Sequence, residues 1–424
     1  MDSDLGNMRQ FSRNFWVYLL SGFFWSLGLM TFFLVYNLHL LEFGFNEAAI
    51  GKIASAFTLG SLAVTLLTGR LLTRYGENRV IQSCVLATAI LLPLRSLTHA
   101  VWWLIVAAFL NGASIGGWMV SAPPFLARNT GPERRTWAFS LSYGSSIGTG
   151  ALAGLIVGFV SRDLSIWGQE LTGLSAKQCL LLASSASVLL GFFGLLFLRE
   201  SGTLSVNAAQ AALPFMNSTV ALIKSRRFIL QLLTVLVLWS FFVGSFPPFF
   251  NVYFHKQFNQ SLDGIGIIFS VSQLCQLSAV LCMPWLVLRL GRVRAISSVQ
   301  FASALVLPAL IVISNVQLAG LIYLAYLSFQ VMAEPALESF IMDSVLPEER
   351  NAVASLRYMT LFSVQALAVL VSGFAITHFG YSFLLVAIAL LGIAASLAFY
   401  VFFQLRSQLP VTQESNVPAI CPLH

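Results

Sequence analysis

Gly69–Arg79 reads GRLLTRYGENR, and Pro284–Arg294, 215 positions later, reads PWLVLRLGRVR. Each stretch lies between two long apolar runs and is too short to be anything but a tight connection. At this offset Arg74, Gly76 and Arg79 fall on Arg289, Gly291 and Arg294. The same register, without a gap, puts Phe43, Ile50, Gly51 and Ser55 on Phe258, Ile265, Gly266 and Ser270. It also puts Pro93 on Pro308, and Pro132, Glu133 and Arg135 on Pro347, Glu348 and Arg350. Tyr143 falls on Tyr358, and Gly158 on Gly373. Leu/Phe-rich helices resemble one another by composition alone. These matches instead concentrate at loops and at Gly, Pro, Arg and Tyr, where such composition predicts nothing, so the chain reads as an internal duplication.

The 424 residues are 58% hydrophobic and only 9% charged, with a mean hydropathy of +0.83. A soluble globular protein carries about 25% charged residues. A soluble core of this size would lack the polar surface to cover it, so the class is a polytopic membrane protein. The +7 net charge is no nucleic-acid footprint, because the basic residues are scattered over short loops. Cys84, Cys179, Cys275, Cys282 and Cys421 show no metal or redox spacing. Most lie in apolar runs, where Cys behaves as a small hydrophobe. The polar start, MDSDLGNMRQFSRN, leads into an apolar run that is long for a signal-peptide core, and it reads as an uncleaved first span.

A membrane span needs roughly 20 apolar residues. Twelve stretches qualify: 15–40, 48–69, 80–97, 101–126, 136–160, 177–198, 228–253, 264–288, 295–314, 318–342, 352–377 and 381–405. Backbone groups in lipid must be bonded internally, so these are helices and the fold is all-α. The short alternating runs of a β-barrel are not present. With both termini inside, 17 of the 23 basic residues fall in inner loops and tails, among them Arg70, Arg74, Arg79, Arg289, Arg292 and Arg294. Five fall outside and Arg357 lies within a span. The expected organisation is a six-helix bundle at 1–198, a cytoplasmic linker at 199–227, a second bundle at 228–405 and a cytoplasmic tail at 406–424. Six spans per repeat give both halves the same orientation, related by an axis along the membrane normal. The expected location is the plasma (inner) membrane.

These features together resemble the major facilitator superfamily. The resemblance rests on six plus six spans and on the GxLxxRxG loop between spans 2 and 3 with its echo between spans 8 and 9. The PERR and PEER loops after spans 4 and 10 add to it. It implies a secondary transporter working by alternating access, with a central cavity lined mainly by spans 1, 4, 7 and 10. Two departures stand out. Thr73 precedes Arg74 where the family loop carries an Asp that helps latch the halves, and Glu77 and Asn78 replace a basic pair. Span 5 holds Gly144, Gly148, Gly150, Gly154 and Gly158, but Thr149 where an exporter-type Gly-Pro pair would continue.

The loop residues have physical roles to fill. Arg74 and Arg79 lie near the negative end of span 2, and Gly76 can take the left-handed turn that closes it. Asn78 is placed to cap span 3. Gly69 permits close approach of a neighbouring helix. In the second copy, with Gly291 at the turn, Arg289 is placed to pair with Asp343. Gly69, Arg74, Gly76, Arg79, Arg289, Gly291 and Asp343 are thus conformational parts, or simply topology signals.

Ionisable residues within spans are functional candidates by default. Tyr326, Gln330, Glu334 and Glu338 are spaced by four in span 10, forming a stripe on one helix face. Pro335 removes a backbone donor beside Glu334. Arg357, in span 11, lies at a similar depth. Glu334 is the candidate for carrying a proton or binding a cationic substrate, with Glu338 and Arg357 as an ion pair that changes with the state. The competing reading is one static, paired cluster. Two carboxylates a helical turn apart disfavour carrying both charges, which suits proton coupling. The neutral candidates for the cavity wall are Asn37, Asn111, Trp118, Asn251, Tyr326 and Gln330. His39, Glu42 and Arg95 lie near outer helix ends and read as solvated. Pro247–Pro248 is expected to bend span 7. Asn259-Gln260-Ser261 matches a glycosylation acceptor, as chance also provides.

The leading function is proton-coupled export of an amphipathic small molecule by a monomer in the lipid bilayer, with no cofactor and no metal. Uptake of a sugar or other metabolite, a lipid or lysolipid flippase, and a non-transporting receptor are the alternatives. The five histidines form no metalloprotease-like pair, and no phosphate loop or nucleophile elbow occurs, which argues against a membrane enzyme.

Overall fold

The computed structural model describes residues 11–130, 134–172, 175–199, 226–345 and 350–404. Nearly all of the expected linker, the expected tail, Pro132, Glu133, Pro347 and Glu348 lie outside the described residues. Every element described is helical. Span 1 is Arg13–Glu42, span 2 Glu47–Tyr75, span 3 Glu77–Leu97, span 4 Val101–Asn129, span 5 Arg135–Thr172 and span 6 Ala176–Leu195. Span 7 is Arg226–Ser245 continued by Phe250–Phe258, and span 8 is Leu262–Leu290. Span 9 is Arg292–Val306 with a tighter turn at Leu307–Ile311, where Pro308 removes a donor. Span 10 is Val316–Met332 continued by Glu334–Asp343. The helix Arg350–Gln404 is interrupted at Gly380 (φ 81°, ψ 173°), which separates span 11 from span 12.

The helix starts follow local chemistry. Ser12, Asn46 and Asn315 each accept a backbone N–H with the side-chain oxygen, and Ser175 and Gln178 form a capping box. Gly76 has φ 80° and ψ 158°; Gly291, its partner in the repeat, has φ 79° and ψ 156°. Both glycines occupy a region closed to residues with a Cβ, and each serves as C-cap of one span and N-cap of the next. The positive φ was foreseen, but the extended ψ differs from a left-handed helical turn. Gly76, not Asn78, caps span 3; Asn78 Nδ2 instead donates to the Arg199 carbonyl at 3.1 Å.

A second correction concerns Asp343. Its partner is Arg292, at 2.6 Å, rather than Arg289. Arg292 follows the Gly291 turn directly, whereas Arg289 lies back along its own helix over the Trp285 ring, 4.2 Å from its centroid. Arg74 likewise lies over Tyr75, at 5.3 Å. Gly69 lies within span 2.

The halves meet through two matching crossings. A Cβ on Gly51 of span 2 would stand 2.9 Å from the Val369 carbonyl and 3.2 Å from Gly373 Cα of span 11. A Cβ on Gly266 of span 8 would stand 2.5 Å from the Gly154 carbonyl and 2.8 Å from the Gly158 nitrogen of span 5. Gly51 pairs with Gly266 in the repeat, and Gly158 with Gly373, so one crossing is the symmetry image of the other. Both lie toward the end of the bundle opposite the described chain termini, called here the far end. Bonds between halves gather on this side. Ala48 N donates to Thr377 Oγ1 at 3.0 Å, and Ser270 Oγ to the Ala151 carbonyl at 2.7 Å. Glu47 Oε1 accepts from Lys256 Nζ at 2.7 Å and from the Tyr381 hydroxyl at 3.3 Å. The structure is closed at its far end.

Candidate functional site

Two charged centres lie inside the bundle. The first is at the break in span 10. Pro335 has no N–H to give, and the helix stops at Met332 and restarts at Glu334. Arg357 of span 11 reaches both carboxylates on this segment. Its Nη2 is 2.7 Å from Glu334 Oε2, and its Nη1 is 2.5 Å from Glu338 Oε2. Trp239 Nε1 donates to the other Glu334 oxygen at 3.3 Å. The Arg357 side chain is 8% exposed, against 38% for Glu334 and 36% for Glu338. The guanidinium is therefore fixed and the carboxylates are reachable. With both carboxylates ionised the trio carries one net negative charge, and one bound proton makes it neutral.

The second centre corrects the expectation that Arg95 is solvated. Arg95 is only 3% exposed. Its guanidinium lies over the rings of Phe32 and Tyr36, at 4.9 and 4.4 Å, and Nη1 donates to Asn111 Oδ1 at 2.8 Å. His39, also expected in solvent, is buried, with Nε2 2.9 Å from the Ser96 carbonyl. Glu42 pairs with Lys177 at 2.6 Å. Position along a helix suggested solvent for Arg95. The better signal was Phe32 and Tyr36, one turn apart on span 1, facing a polar Asn111 in span 4.

Arg95 lines a cavity of about 340 Å³ between the halves. Its wall also holds Tyr36, Asn37, Thr58 and Gln273, and is otherwise mainly apolar, with Phe33, Phe57, Phe250 and Phe269. The double proline shapes one side. Pro247–Phe249 is a tight turn that breaks span 7, and Asn37 Nδ2 donates to the Pro248 carbonyl at 2.6 Å. Spans 1, 2, 3, 7, 8 and 11 supply this wall.

Of the neutral candidates, Asn37 lines this cavity. Asn111 stands behind Arg95 with its own Nδ2 unpartnered. Trp118 is stacked between Tyr18 and Trp25, at 5.2 and 4.5 Å. Asn251 Nδ2 donates to the Leu34 carbonyl at 2.8 Å, joining the halves. Tyr326 is fully buried beside Phe242, Phe246 and Tyr323, and receives a bond from Gln330 Nε2 at 3.3 Å. Asn259 adopts a left-handed conformation (φ 49°) that closes span 7.

Comparison with known proteins agrees with this architecture. The bacterial homologue of the human lysosomal transporter Spinster, in an inward-facing and unoccupied conformation, superposes with a TM-score of 0.76 at 12% identity, covering 94% of this chain and 100% of that one. The nucleoside transporter NupG gives 0.72 at 14% identity, over 93% and 100%. The D-xylose-proton symporter gives 0.71 at 15%, over 92% and 97%. Among curated sequences, the 3-(3-hydroxy-phenyl)propionate transporter of Escherichia coli (strain K12) is 29% identical over 127 residues, which span 29% of this chain and 30% of that protein. The pattern of the Major Facilitator Superfamily matches residues 15–333 and 248–420. With its twelve spans, its duplicated glycine turn and this match over most of its length, the chain belongs to the major facilitator superfamily.

Proposed function

We propose that this protein is a proton-coupled secondary transporter of a small amphipathic organic solute, with Glu334, Arg357 and Glu338 as its coupling centre. The observation that carries this reading is one fixed guanidinium held between two reachable carboxylates. A charge inside the membrane is expensive, and a single proton is the difference between a charged and a neutral trio. Protonation of Glu334 removes its charge-assisted bond to Arg357, worth about 1.5–3 kcal/mol, and the break at Ala333 lets the second segment of span 10 respond. Fold neighbours include a nucleoside transporter and a sugar–proton symporter, and the curated relative is named for an aromatic acid. These names support a small organic solute. The glycine run of span 5 carries no weight for export, because Gly154 and Gly158 are occupied in packing against span 8. The coupling centre serves either direction, and the flux assay reads which one operates.

The test is flux in proteoliposomes under an imposed pH gradient, using a panel of labelled amphipathic acids, bases and neutral solutes. Glu334→Gln is expected to retain solute exchange and to lose acceleration by the pH gradient. Normal pH-driven flux in that variant refutes the assignment.

A further inference from the structure

We infer that the cavity beside Arg95 is an anion site, and that the solute is an organic anion with an apolar or aromatic body. The inference rests on the transporter reading above and deepens it. Among the described residues, the other buried Asp, Glu, Lys and Arg side chains have opposite charges: Glu47 has Lys256, Glu77 has Arg128, and Arg357 has two glutamates. Arg95 has none. Its Nη1 is held by a neutral amide, two aromatic faces flank it, and Nε is buried without a partner.

No Asp or Glu lines the cavity. A buried cation without a counter-ion is costly, and the cost is removed when an anion arrives with its own charge. A guanidinium is planar and carries a fork of donors, a geometry that suits carboxylate oxygens. Asn111 and the Phe32 and Tyr36 rings orient that fork before a solute binds. Around it, Phe33, Phe57, Phe250 and Phe269 offer apolar surface, while Asn37 and Gln273 add neutral polar groups. A cationic solute would be repelled. A neutral one would leave Arg95 unbalanced. A cavity of about 340 Å³ is at the small end for ligand sites, which favours a solute with one ring or a short chain.

The experiment measures binding to the purified full-length protein in detergent, by calorimetry. The probes are a series of acids from acetate through phenylacetate to naphthylacetate, each beside its uncharged amide. At least one acid is expected to bind about ten- to hundredfold more tightly than its amide, the range for losing a charge-assisted bond. Arg95→Gln is expected to abolish that preference. Arg95→Lys keeps the charge, loses the fork and should fall between the two. Equal binding of acid and amide to the wild type overturns the inference, as does an intact preference in Arg95→Gln or no binding by any acid in the series. The wild-type comparison stands even if the variants fail to fold. Proteoliposome flux separates this inference from the transporter reading. An acid that binds and is never moved sinks transport and leaves the anion site. pH-driven movement of neutral amphiphiles, with acids not preferred, sinks the anion site and leaves transport.

Discussion

Gly373→Ala tests how the far end closes. The new Cβ would stand 2.5 Å from the Glu47 carbonyl oxygen and 3.1 Å from Gly51 Cα. Ordinary contact begins at about 3.4 Å, so spans 2 and 11 must part by roughly 0.9 Å at their crossing. The obstacle is backbone on both sides, so no side chain can turn away. Overpacking of this kind costs about 1–3 kcal/mol. The crossing exists where the far end is closed, so the cost falls on that state, and its population relative to an open state drops by about 5- to 150-fold. The assay is alkylation of Thr58→Cys, on the cavity wall, by a membrane-impermeant maleimide added from the far side, with the native cysteines replaced by Ala. Labelling is expected to rise by that factor. Gly148→Ala is the control, because its added Cβ meets nothing within 4 Å, and it should label like the parent. Equal rates for Gly373→Ala and the control would refute the closure mechanism. Gly266→Ala, at the symmetry-related crossing, should act in the same direction.

Lys256→Gln removes the ion pair to Glu47 across the far end. Because the Lys256 side chain is 42% exposed, the effect on far-side labelling should be small, about 0.2–1 kcal/mol, and should shrink for the wild type in high salt. Arg357→Gln leaves Glu334 and Glu338 without their cation. It should lower the apparent melting temperature more than Glu338→Gln does, since the latter leaves the Glu334–Arg357 pair in place; the reverse order would show that Arg357 is not the hub of the trio.

Much of the framework was legible because it is written in residues with backbone consequences. Gly76 and Gly291 stood out in the sequence as loop residues repeated in register, and the structure gives them matching φ and ψ. Gly51, Gly158, Gly266 and Gly373 stood out for the same reason, and they form the crossings. Pro335 announced the break in span 10, and Pro247–Pro248 the break in span 7. Side-chain partnerships were harder to read. Arg289 and Arg292 are three residues apart, and the Gly291 turn between them decides which one faces Asp343. Hydropathy places Arg95 along its own helix but says nothing of the helices beside it, so its burial against spans 1 and 4 stayed hidden. Asn111 was singled out as a polar group within a span. Its meaning came only with the guanidinium it holds.

The two charged centres lie where the duplication fails. At the repeat offset of 215, Arg95 faces Leu310, Glu334 faces Met119, and Arg357 faces Ser142. The matched positions are turns, crossings and kinks, the parts that shape the frame of each bundle. A symmetric frame alone gives two equivalent states and no reason to couple one solute to one proton. Charges placed in only one copy of each pair break that equivalence. Arg95, in the first half, puts a positive charge on the cavity nearest the closed end. The Glu334–Arg357–Glu338 trio, in the second half, carries one net negative charge on the opposite side of the bundle when both carboxylates are ionised. In the proposed cycle an anion neutralises the first centre and a proton neutralises the second. On that proposal each centre is neutral only with its own cargo bound, and an interior freed of net charge is the cheapest one to carry through a change of state.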